Sequence, residues 1–143
     1  MFERYTEKAR RVIFFARDEV SRYGSSRIQS EHLLLGLLKV DENLIRSLPS
    51  DISIEMIRKE LAHNIETGKR LPTFVSVPFS PECELVTGFA LEEQKQLKYE
   101  RMETEYLLLG ILHGDSPASQ VLQKHGFAYS TVRERVANGT WRI

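Results

Sequence analysis

YTEKARRVIFFARDEVSRYGSSRIQSEHLLLGLL, residues 5–38, and FSPECELVTGFALEEQKQLKYERMETEYLLLGIL, residues 79–112, are two copies of one pattern. The offset is 74 residues throughout, with no gap. Eleven of the 34 aligned positions are identical, against roughly two expected from composition. Val12/Val86, Phe15/Phe89, Ala16/Ala90, Glu19/Glu93, Arg27/Arg101, Glu31/Glu105 and the LLLG blocks ending at Gly36 and Gly110 are among the matches. Tyr5/Phe79, Thr6/Ser80, Ala9/Cys83 and Ser30/Thr104 differ in identity but keep similar size or chemistry. The chain is a tandem duplication, and a repeat of this kind governs the reading of everything around it.

Both copies carry helical signals. Thr6 and Ser80 are hydroxyl N-caps, and Pro81 takes the first helical position, where a missing N–H costs nothing. Behind them Val12, Phe15, Ala16 and Val20, and then Val86, Phe89 and Ala90, recur at three- and four-residue spacing. Gly24 ends the first helix, and the second copy has no glycine there. Ser30 and Thr104 read as further caps, opening short apolar helices over 31–38 and 105–112. A weaker helix near 42–48 has its counterpart at 117–125, between Pro117 and Gly126. A longer helix is predicted from Ser53 to about Thr67, with Ile54, Ile57, Leu61 and Ile65 on one face. A shorter one starts at Ser130, with Val132 and Val136 in register.

These elements predict an all-α fold of two four-helix repeats, about 1–67 and 79–138. Gly68 to Pro78 is read as an extended linker between them. Halves this small rarely hold a core alone, so a single domain over 1–143 with a joint pseudo-twofold core is expected.

Composition narrows the function. Twenty basic residues balance 20 acidic ones, which removes the electrostatic case for nucleic acid or an anionic membrane as partner. No apolar run reaches the length of a membrane span, and MFERYTEKARR lacks the apolar core of a secretory signal. Cys83 has no second cysteine to pair with, which suits a reducing, cytoplasmic setting. The phosphate-loop, dinucleotide and nucleophile-elbow motifs are missing, and His32, His63, His113 and His125 are scattered without metal-ligand spacing. The expectation is a binding protein rather than an enzyme, with no catalytic residues, metal or cofactor.

SEHLLLGLL and TEYLLLGIL, each about 25 residues after an aromatic–hydroxyl pair, resemble the Clp N-terminal domain. That is the double-repeat module at the front of ClpA- and ClpC-type AAA+ unfoldases, and MFERYTEKARRV is most similar to the ClpC branch. The resemblance implies a non-catalytic module that delivers protein substrates or adaptors to a Clp-type unfoldase, in cis or in trans. The chain is read either as a domain of a longer unfoldase or as a free-standing protein, and the tail VANGTWRI, without obvious linker character, tilts the expectation to the latter. The ClpC branch also implies phosphoarginine recognition, with one site in each repeat. The resemblance places Glu31 and Glu105 on the guanidinium and Thr6 and Ser80 at the helix starts beside it. Carboxylates pair with guanidinium, and free amides at a helix N-terminus suit phosphate.

Each of these residues also has a purely structural reading. A first-turn glutamate is favoured by the helix dipole, and Thr6 and Ser80 are caps in any case. Tyr106 stands where the family usually has histidine, and Glu82 and Glu84 stand where it often has a basic run. Those acids are expected to oppose phosphate at the second repeat's site. Phe2 and Phe79 either staple their helices or form handles for a protein partner. The alternative function is a regulatory scaffold that binds a protein and has lost degradation-signal recognition.

Overall fold

The computed structural model describes residues 2–47, 53–72 and 77–139. Among them run eight helices: α1 Glu7–Tyr23, α2 Ser30–Val40, α3 Glu42–Arg46, α4 Ile54–Asn64, α5 Pro81–Gln96, α6 Thr104–His113, α7 Pro117–Lys124 and α8 Tyr129–Ala137. The fold is all-α, with two four-helix repeats built to one plan.

Thr6 caps α1 by accepting from the Ala9 N–H at 3.2 Å, and Ser80 caps α5 from Cys83 at 3.0 Å. The apolar stripe then turns Val12, Ala16 and Val20 inward on α1 and Cys83, Val86 and Ala90 inward on α5. Gly24 closes α1 in the left-handed region, at φ 70°. The aligned residue after α5 is Lys98, which adopts nearly the same conformation at φ 60°. Left-handed backbone costs an L-residue with a side chain about 1 kcal/mol. Lys98→Gly is therefore expected to raise stability by about 0.5 kcal/mol, after the extra unfolded-state freedom of glycine is counted. Urea denaturation reads this as a higher midpoint at constant slope; a lower midpoint would refute it.

The LLLG glycines set how closely α2 and α6 cross the long helices. A Cβ on Gly36 would lie 2.5 Å from the Val12 carbonyl oxygen, and one on Gly110 would lie 2.4 Å from that of Val86. The leucines around them are buried, and one hydrophobic cluster runs from Val12, Leu34 and Ile57 in the first half to Leu108, Ile111 and Val121 in the second.

Ser30 and Thr104 are not the caps the sequence suggested. They are the first helical residues of α2 and α6, whose caps are Gln29 and Glu103. Their hydroxyls serve the joint between the halves instead. Ser30 Oγ accepts from the Ala118 N–H at the start of α7 at 3.2 Å, and Thr104 Oγ1 donates to Asp41 Oδ2 at 2.7 Å. Two other boundaries move. α4 stops at Asn64 because Ile65 is extended, and α8 begins one residue before Ser130 with Ala128 as its cap.

Within the expected linker, Gly68 N–H bonds to Tyr23 O at 2.8 Å and Leu71 N–H to Ser21 O at 3.0 Å, so its first part returns along the end of α1. Residues 73–76 of that linker and 140–143 of the tail lie outside the described residues.

Two short parallel pairings complete the frame, and both join one half to the other. Tyr5 pairs with Met102, and Ile28 pairs with Phe79. Met102 N–H donates to Arg4 O at 2.9 Å while Thr6 N–H donates to Met102 O at 3.1 Å. The same bonds link Ile28 with Pro78 and Ser80, at 2.9 Å each.

Candidate functional site

Because the segments before α1 and α5 are exchanged between the halves, each helix-capping hydroxyl lies at the entrance of the opposite repeat's short helix. Thr6 sits beside the lead-in to α6 and Glu105. Ser80 sits beside the lead-in to α2 and Glu31. The sequence reading grouped Thr6 with Glu31 and Ser80 with Glu105 as one site per repeat. The structure regroups them, each site drawing on both repeats. Pairing between chain segments far apart in sequence decides this, and no spacing within one repeat reveals it.

The Thr6 cluster mixes cations with carboxylates. Thr6 Oγ1 donates to Met102 O at 3.2 Å. Lys8, the second residue of α1, reaches Asp41 Oδ1 at 3.3 Å with its own side chain half exposed. Asp41 also receives the Thr104 hydroxyl, and Thr104 reaches Glu105 Oε1 at 2.9 Å. Beside Thr6 lies a hollow of about 350 Å³ walled by Lys98, Tyr99, Glu100, Arg101 and Glu103. Lys98 and Arg101, with Glu100 and Glu103 between and beside them, thus line the start of a 17-residue helix whose first amides suit an anion.

The Ser80 cluster keeps an arginine before its short helix, Arg27 in place of Arg101, but differs at the first turn of the long helix. Glu82 occupies the position aligned with Lys8, so a cation in one cluster is a carboxylate in the other. Glu31 is 6% exposed, and its Oε1 accepts from the Ser30 hydroxyl at 3.2 Å. Burial raises its carboxyl above the usual range, and nearby Glu82 adds to the rise. Cys83 is fully buried, and burial together with Glu82, Glu31 and Glu84 pushes its thiol up to about 12. That thiol stays protonated and unreactive at neutral pH. The expected opposition of Glu82 and Glu84 to phosphate therefore falls on the Glu31 cluster, not on Glu105.

Phe2 and Phe79 come together. Their ring centroids lie 6.0 Å apart, and Phe2 meets Tyr5 edge-on at 4.9 Å. With Met102, Leu91 and the exposed backbone of Gly88 they line a groove of about 450 Å³, rimmed by Glu3, Arg4 and Glu84. Lys8, Lys98, Arg101 and the groove residues Met102 and Leu91 were not singled out from sequence. The charge reversal between Lys8 and Glu82, and the lysine aligned with Gly24, were the available signals.

The family model that matches this chain is the Clp repeat N-terminal domain, over residues 4–125. The chain belongs to the Clp N-terminal domain family. It is 34% identical over 95% of its length to the chloroplastic ATP-dependent Clp protease ATP-binding subunit ClpA homolog of Brassica napus. It is equally similar to the chloroplastic chaperone protein ClpC1 of Arabidopsis thaliana, at 34% over 95%. The chain spans only 16% and 15% of those relatives' lengths. The crystal structure of the N-terminal domain of the chaperone ClpD from Arabidopsis thaliana superposes with a TM-score of 0.71 at 25% identity, covering 97% of this chain and 98% of that one. Among the described residues of this Clp domain no helix is long and apolar enough to cross a membrane.

Proposed function

We propose that this Clp N-terminal domain binds protein substrates or adaptors and presents them to a Clp-type AAA+ unfoldase, in cis or in trans. It has no catalytic role of its own in this reading. Phosphoarginine is the mark it reads, and the Thr6 cluster is where it reads it. One observation carries the assignment: the lead-in to Glu105 and the Thr6 helix start converge from opposite repeats, with Lys98 and Arg101 lining the hollow beside Thr6. The carboxylate suits the guanidinium, and the cations with the α1 amides suit the phosphate. The Thr6 hydroxyl, committed to Met102 in the free domain, rotates to join the phosphate. The Phe2–Phe79 groove supplies apolar contact for the polypeptide bearing the mark. The relatives' names place them in chloroplasts, and the lone buried thiol suits any reducing compartment; the cytoplasm is the one proposed here.

Calorimetric or NMR titration with free phosphoarginine, against arginine and phosphate alone, tests the proposal. Saturable binding is expected only with the complete ligand, with amide shifts at Thr6 and Glu105. Glu105→Ala is expected to weaken it at least about tenfold, the effect of losing a charge-assisted pair. Lys98→Gly is expected to weaken it too, although it stabilises the fold. Absence of saturable binding to the folded domain would leave the second reading, a scaffold without degradation-signal recognition. The observation favouring that reading is Glu82 in place of a cation at the Ser80 cluster.

A further inference from the structure

The first repeat keeps open a hollow whose counterpart in the second repeat is drawn together by hydrogen bonds. With the buried pairs Ile57/Val132 and Leu61/Val136 set in register, Arg58 of α4 aligns with Arg133 of α8. In the second repeat these elements shut around Glu93, which is 3% exposed. Arg133 Nε donates to Glu93 at 3.0 Å, the Tyr129 hydroxyl donates to the other carboxylate oxygen, and His113 stacks on Phe89. In the first repeat Ile54 stands in place of Tyr129, and Arg58 turns to Glu55 at 3.0 Å and Glu42 at 3.2 Å. Lys39, aligned with His113, lies over the Phe15 ring at 4.7 Å. A hollow of about 480 Å³ remains between α1, α2 and α4, with Leu35, Ala62 and Tyr23 as its apolar lining.

Four cations border this hollow, Arg22, Lys39, Arg58 and Lys59, against one carboxylate, Glu19, which Arg22 approaches only to 4.0 Å. The aligned residues of the second repeat are Gln96, His113, Arg133 and Glu134, so the excess belongs to one half of a chain with no net charge. Asp18, Glu42 and Glu55 engage Arg22 and Arg58 from the rim, but Lys39 and Lys59 form no ion pair among the described residues. A second hollow of about 440 Å³ adjoins at Lys59 and carries His63, Asn64 and Lys124 beside Glu60. None of these residues lines the Thr6 hollow or the Phe2–Phe79 groove.

We infer that the face of α4 spanning these two hollows docks an extended acidic segment of a protein partner, with an apolar side chain seated against Leu35 and Ala62. This rests on the reading that the domain binds proteins. Carboxylates of such a segment meet Lys39 and Lys59, and the local positive potential draws the segment in from solution. The apolar lining suits a polypeptide better than a nucleic acid, and Glu19 and Glu60 oppose a phosphate backbone at both hollows.

The test is an NMR titration of the whole chain with a glutamate-rich peptide that carries one central leucine. Its glutamine counterpart and a single-stranded oligonucleotide of equal charge are run beside it. The glutamate peptide is expected to give saturable shifts at Arg22, Lys39, Lys59 and Ala62, with affinity falling as salt rises, and the glutamine peptide to give none. Lys39→Glu and Lys59→Glu, both on exposed side chains, should each weaken binding about fivefold. Lys95→Glu makes the same charge change at an exposed position of α5 and should leave the affinity unaltered. Equal weakening by Lys95→Glu, or tighter binding of the oligonucleotide at the same amides, would overturn the inference. Shifts confined to Phe2, Phe79 and Leu91 would also overturn it while leaving the protein-binding reading in place. Phosphoarginine is read at Thr6 and Glu105, so that proposal fails by a different signal.

Discussion

Gly110→Ala is expected to destabilise the domain by about 3 kcal/mol, and Gly36→Ala by a similar amount, each by forcing apart a helix pair that touches through its backbone. In a helix interior the same change ordinarily adds about 1 kcal/mol of stability, so the sign of the effect is itself diagnostic. The new methyl would meet Val86 O at 2.4 Å and Ala90 Cβ at 2.8 Å in one case, and Val12 O at 2.5 Å in the other. Backbone atoms cannot rotate away as a side chain would. Denaturant unfolding at neutral pH measures both variants, with Gly88→Ala as the control. Apart from its own helix backbone and chain neighbours, no atom lies within 4 Å of a Cβ placed at Gly88, and that variant is expected to gain stability. Near-neutral results at Gly36 and Gly110 would show that the helices separate freely and that the crossing is not tight.

Acidification is the second large effect, and His32 is its source. The ring is fully buried: Nδ1 accepts the Gln29 N–H at 2.8 Å, and Nε2 lies 3.1 Å from Ser25 Oγ. Ser25 gives its hydroxyl proton to Glu66 O at 2.7 Å, so it must accept from the ring. The neutral Nε2–H tautomer follows, and a second ring proton would replace the Gln29 bond with a clash of donors. Burial lowers the pKa to about 4 from the ordinary 6.5.

The unfolded chain therefore takes up the proton first as pH falls. Stability from this residue is complete above about 6.5 and declines toward about 4, by about 3 kcal/mol in total. Glu31 works the other way, since its raised carboxyl favours the folded state as pH falls toward the carboxylate range. His32→Gln keeps an acceptor and a donor but has no proton to gain. The stability difference between pH 7 and pH 5 is expected to be smaller in this variant than in the parent by about 2 kcal/mol. Identical pH profiles would remove His32 as the cause.

The repeat made most of the fold legible. Val12/Val86, Ala16/Ala90 and Gly36/Gly110 are identical because they are the crossing itself: the glycine of one helix lies against the valine carbonyl and alanine of the other. Duplicated contacts of that kind leave duplicated letters. The caps at Thr6, Ser80 and Ser53 were legible for a local reason, since a hydroxyl bonds three residues ahead. Ser30 and Thr104 carry the same letters, but Ala118 and Asp41, 88 and 63 residues away, engage their hydroxyls. The site residues were named from their alignment, yet their grouping was not readable. It depends on Tyr5 meeting Met102 and Ile28 meeting Phe79, pairings made by backbone atoms that every sequence shares.

The exchanged segments before α1 and α5 reach past these two clusters. Two identical single repeats, associating face to face, would build the same pair of clusters, but one gene would encode both. Any substitution favouring one ligand would appear in each. Fusion into a single polypeptide lifts that constraint, so lysine can stand at position 8 while glutamate stands at its equivalent, 82. The asymmetry between the clusters is a freedom that only the covalently joined form possesses.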